Sequence, residues 1–110
     1  MTITNDKGRK FTILMVFKGE KYGLDNCLTH DNADPLVEFY DATHKGKAGF
    51  DPEGQFVSRY YLSTMLKHGP HGINLYGGEP VWQIDSKAMK EVFQHLQDIE
   101  LLQNLGVSIR

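Results

Sequence analysis

The sequence predicts an α+β fold, an antiparallel sheet of four or five strands with two helices packed on one face, and three segments carry that prediction. In Gly72–Ile84, the pair Gly77-Gly78 reads as a two-residue hairpin turn, because glycine takes the positive φ that both central positions require. Pairing then sets Ile73, Leu75, Pro80, Trp82 and Ile84 on one face and Asn74, Tyr76, Glu79, Val81 and Gln83 on the other, the pattern of a half-buried hairpin. Arg9–Lys18 is the strongest single strand. Phe11, Ile13, Met15 and Phe17 line one face, while Leu14 and Val16 make the other apolar too, as in a central strand. After Ser86, the residues Met89, Val92, Phe93, Leu96, Ile99 and Leu102 recur at three- and four-residue spacing, with Lys90, Glu91, Gln94, Gln97 and Asp98 toward water. This is an amphipathic helix that Ser86 caps and Asn104-Leu105-Gly106 ends.

The other elements follow in chain order. Residues 1–9 read as a flexible polar tail, residues 10–106 as the single domain and residues 107–110 as a frayed end. Gly19 and Glu20 make a turn, and Lys21–Leu24 returns as a short strand. Asp25–Asp34 is loop by composition and Pro35 closes it. Leu36–Ala42 resumes strand character, with Val37 and Phe39 facing one way and Glu38 and Tyr40 the other; His44–Phe50, with two glycines and two lysines, is a mobile loop. Asp51-Pro52-Glu53 has the residues of a helix start, and Lys67-His68-Gly69 those of a stop. The caps predict a helix from Asp51 to His68. Its β-rich opening, Phe56 to Tyr61, is also compatible with extended chain.

At 110 residues the chain is long enough to bury roughly 65% of its unfolded surface without staples. The single cysteine, Cys27, excludes an intramolecular disulfide and suits a reducing compartment. No charged-then-apolar leader opens the sequence, so a cytoplasmic location is expected. The longest apolar run, Ile13–Phe17, is far short of the ~20 residues of a membrane span. Net charge is −2, unevenly placed: residues 1–23 carry +3 and residues 24–53 carry −5. There is no basic excess interleaved with aromatics, so nucleic acid is not the expected partner.

Several constellations bear on chemistry. His30, His44, His68, His71 and His95, with Asp31, Asp34 and Asp41, hold enough donors for a divalent ion, but their spacing matches no metal signature. Solvated histidines and turn-forming acids account for the same residues, and His68 suits a last helical turn. Cys27 has no base or oxyanion donor beside it in sequence. Glu38 and Asp41 fall on opposite strand faces, and the glycines form no phosphate-binding pattern. No cofactor is implied. Tyr22, Tyr40, Tyr60, Tyr61, Tyr76 and Trp82 form an aromatic set of the kind enriched at interfaces, and equally the kind that packs in a core with its polar tips outward.

The stretches Asp34–Asp41 (DPLVEFYD) and Gly54–Met65 (GQFVSRYYLSTM) resemble small uncharacterised proteins carried on bacterial plasmids and integrative elements, over about residues 10–95. The resemblance implies a bacterial, cytoplasmic setting and an accessory role, and it transfers no site.

The expected function is therefore that of a non-catalytic accessory protein acting through protein–protein contacts. The alternative is a small metal-assisted hydrolase or nuclease using loop histidines and aspartates. The expected binding residues are Asp31, Asp34, Tyr40, Asp41 and Tyr76, from the acidic, loop-rich segment Asp25–Asp51 and the exposed aromatics beside it. A basic partner protein would suit them.

Overall fold

The computed structural model describes residues 1–24, 35–70 and 84–104, and the predicted hairpin at 72–84, but for Ile84, lies outside them. The fold is built around β2 (Lys10–Phe17), whose alternation decides everything packed on it. Phe11, Ile13 and Met15 are fully buried on one face; Leu14 and Val16, on the other, are half-buried. The chain reverses at Lys18-Gly19, both at positive φ (52° and 80°), so Phe17 pairs with Glu20. Two successive left-handed residues are what a tight hairpin between right-twisted strands requires. The turn therefore sits one residue earlier than Gly19-Glu20. The returning strand β3 (Glu20–Gly23) runs antiparallel to the end of β2.

The other half of the same β2 edge is taken by β1 (Thr2–Thr4), which pairs Ile3 with Phe11. Residues 1–9 are thus not a free tail. Ile3 is buried in the core, and Asn5 closes the turn into β2 by accepting from the backbone N–H of Lys7 and Arg9. One buried isoleucine in a polar stretch is too weak a period to be read from sequence.

On the opposite edge of β2 lies β4 (Leu36–Asp41), and beyond it β5 (Gln55–Tyr61), so the described residues form a five-stranded antiparallel sheet. Val37 and Phe39 face the core, and Glu38 and Tyr40 the second face, as their alternation predicts. After β4 a 3-10 turn, Ala42–His44, starts the connection to β5.

The helix expected from Asp51 is overturned: residues 55–61 are strand, and helix α1 covers only Leu62–His68. Asp51-Pro52-Glu53-Gly54 is a β-turn, closed by the Gly54 N–H donating to the Asp51 carbonyl at 2.9 Å. Asp, Pro and Gly at its first, second and fourth positions are turn residues as well as cap residues. A register shift opposite Phe39 and Tyr40 makes Val57 an extra residue in β5, so Val57 and Ser58 both turn inward. The bulge replaces the strand's period of two with an out-in-in-out pattern resembling a helical one. The predicted stop holds. α1 ends at His68, and Gly69, at φ 75°, donates its N–H to the Met65 carbonyl.

The final helix α2 spans Ser86–Asn104, as its periodicity predicts, and Ala88, Met89, Val92, Phe93, Leu96 and Ile99 are buried. Its cap is Asp85 rather than Ser86: one carboxylate oxygen accepts from the Ala88 N–H at 3.2 Å and the Asp85 carbonyl from the Met89 N–H at 3.0 Å. These side chains, with Leu62 and Met65 of α1, form one cluster with Ile3, Phe11, Ile13, Met15, Val37 and Phe39. Helices cover one face of the sheet; the second face carries the polar and aromatic groups.

Candidate functional site

Among the expected binding residues, Asp31, Asp34 and Tyr76 lie outside the described residues, while Tyr40 and Asp41 are neighbours in β4 that point to opposite faces. Neither is on the surface. Tyr40 is 2% exposed and Asp41 0%.

Asp41 ends β4 on the core side. One of its carboxylate oxygens receives the Arg9 Nε–H at 2.9 Å and a second Arg9 nitrogen at 2.7 Å, a forked pair across the sheet. Its other oxygen accepts from the Thr43 N–H at 3.0 Å and caps the 3-10 turn. Asp41 is a structural fastener, and its chemistry is spent within the chain.

Tyr40 sits at the centre of the second face. Its hydroxyl donates to the buried Glu38 carboxylate at 2.6 Å. Lys21 reaches across from β3, placing its ammonium 4.9 Å from the Tyr40 ring centroid and 3.3 Å from Glu53 in the 51–54 turn. The lysine stem covers the sheet while its charged end finds a π face and a carboxylate. Phe56 meets the Tyr40 ring edge-on at 5.7 Å.

This geometry fixes the protonation states. Burial, then the Glu38 hydrogen bond, pushes the Tyr40 phenol up to about 12, against the opposing Lys21 charge. The Tyr40 side chain holds the Lys21 ammonium well above its ordinary value; its own desolvation acts the other way, and Glu53 reinforces the rise. At neutral pH the phenol is a proton donor already engaged and the lysine a cation already paired. The cluster ties β3, β4 and the 51–54 turn together.

Large apolar side chains are what the surface does offer. Phe50, Phe56 and Tyr61 are 42%, 41% and 55% exposed, and all three fall between residues 50 and 61. In the β4–β5 register Phe56 lies opposite Tyr40, Arg59 opposite Glu38 and Tyr61 opposite Leu36, so all three share the second face. Phe50 stacks on His44 at 4.3 Å with the rings 8° from parallel. Reading this stretch as helix hid Phe56, Arg59 and Tyr61. The Asp-Pro-Glu-Gly turn signature was the signal that would have exposed them.

Of the metal-ligand candidates, His30 and His71 lie outside the described residues, as does Cys27. Among the described residues no three His, Cys, Asp or Glu side chains converge as metal ligands do. A depression of about 510 Å³ opens between β1 and the start of α2, lined by Thr2, Thr4, Asp6, Asp85, Lys87 and Glu91 among others. Among the described residues, no helix is long and apolar enough to cross a membrane. Comparison of the chain with protein-family models, with curated proteins and with solved structures finds no match to any of them.

Proposed function

We propose that this chain is a small non-catalytic accessory protein that acts through contacts with a partner protein. One observation carries the reading: on the second sheet face the groups capable of proton chemistry are engaged with one another, while Phe56 and Tyr61 stay exposed beside them. Aromatic side chains contribute most of the binding energy at protein interfaces, because they remove large apolar area from water at small entropic cost. The acidic segment adds a second element. Of the seven acids between Asp25 and Glu53, Glu38, Asp41 and Glu53 have partners among the described residues, which leaves the exposed Asp51 and, outside the described residues, Asp25, Asp31 and Asp34 as candidates for a partner. These suit a basic area on the partner, in a bacterial cytoplasm and in association with a mobile element, as the sequence resemblance suggests.

The test is affinity capture from the source cells with the native chain and with Phe56→Ser/Tyr61→Ser. A partner captured by the first and lost by the second, with unchanged circular dichroism and melting temperature, is the expected result. Equal capture by both rejects the surface. Thermal shift with Zn²⁺, Mn²⁺ and Mg²⁺ separates the metal-assisted alternative, which requires clear stabilisation by one of them.

A further inference from the structure

We propose that the Phe56–Arg59–Tyr61 strip of β5 docks an acidic peptide segment, with the Arg59 guanidinium holding a carboxylate of the ligand. The inference rests on the contact function just stated and names the chemistry of the partner at this site. The register places Glu38 directly opposite Arg59, where oppositely charged residues ordinarily pair across strands. Glu38 is buried and accepts the Tyr40 phenol proton instead, at 2.6 Å. Among the described residues the ion pairs are Arg9–Asp41 and Lys21–Glu53, and Arg59 takes part in neither. Lys21 is answered by Glu53, and Lys10 of β2 also lies on this face outside those ion pairs, so Arg59 is the unpaired cation that the exposed rings flank.

Its surroundings make that charge useful. Arg59 is exposed, with exposed Phe56 and Tyr61 on the same face to either side along the strand. A guanidinium fork matches a carboxylate in two parallel hydrogen bonds. Flanking rings exclude water from such a contact and so strengthen it. The strip is opposite in charge to the acids of Asp25–Asp34, and the Arg59 variants test it without altering them.

The test is fluorescence anisotropy with a short labelled peptide alternating Glu and Val, against the same peptide with Lys for Glu and against oligothymidylate. The acidic peptide is expected to bind and the other two not. Arg59→Ala is expected to weaken binding at least about ten-fold, the worth of one charge-assisted contact, and Arg59→Lys to restore part of it. Because Arg59 is exposed, both variants should keep the native melting temperature. No binding of the acidic peptide at millimolar concentration, equal binding by Arg59→Ala, or preference for oligothymidylate overturns the proposal. If partner capture still depends on Phe56 and Tyr61 in that event, the contact function stands and only the acidic ligand falls.

Discussion

Arg9→Ala should be among the more damaging single substitutions in this chain, although Arg9 lies near the surface. Its partner Asp41 has no exposed side-chain area, whereas the Arg9 side chain keeps 33%. Truncating the arginine leaves a carboxylate out of water with the Thr43 N–H but without its cation. Removing one member of a buried pair costs about 3–5 kcal/mol. The partial exposure of this pair puts the expectation near the lower end, about 3 kcal/mol. Asp41→Asn is gentler. The shape and the cap to Thr43 survive, and the stranded guanidinium turns to solvent, so about 1–2 kcal/mol is expected. The double variant should cost less than the two singles together, because the buried charge is then gone. Urea unfolding followed by circular dichroism reads all three from midpoints at constant slope. A cost below 1 kcal/mol for Arg9→Ala, or strict additivity in the double variant, would refute the reasoning.

Gly54 has φ 121°, and a Cβ there would run into the Asp41 backbone carbonyl, so Gly54→Ala should lose more than about 2 kcal/mol in a thermal or urea melt. Leu96→Ala, at a fully buried position of α2, should cost about 2–5 kcal/mol by the same measurement. The raised Tyr40 pKa makes a contribution to stability that is complete below pH 10, the unfolded value, and is lost as pH rises toward about 12. Stability should therefore fall across that window, and Tyr40→Phe should flatten the fall; an unchanged profile in the variant would assign it to other groups.

Much of the frame is legible in local pattern. The alternation of Phe11, Ile13 and Met15, the opposed faces of Val37 and Glu38, the period of α2 and the stop at Gly69 all appear in the structure as the chain spells them. In each, the residues that share a face lie within a few positions of one another, so spacing alone reports them. Residues 55–61 were legible only as a choice between helix and extended chain, because the bulge at Val57 erases the alternation that marks a strand. Nor was the fate of the candidate site. That Asp41 is buried against Arg9, and that Tyr40 is covered by Lys21 rather than exposed, depends on groups 32 and 19 positions away along the chain. Strand pairing brings those groups together, and only the tertiary structure decides which side chains it leaves for solvent. By that route the exposed surface passed from Tyr40 and Asp41 to Phe56, Arg59 and Tyr61.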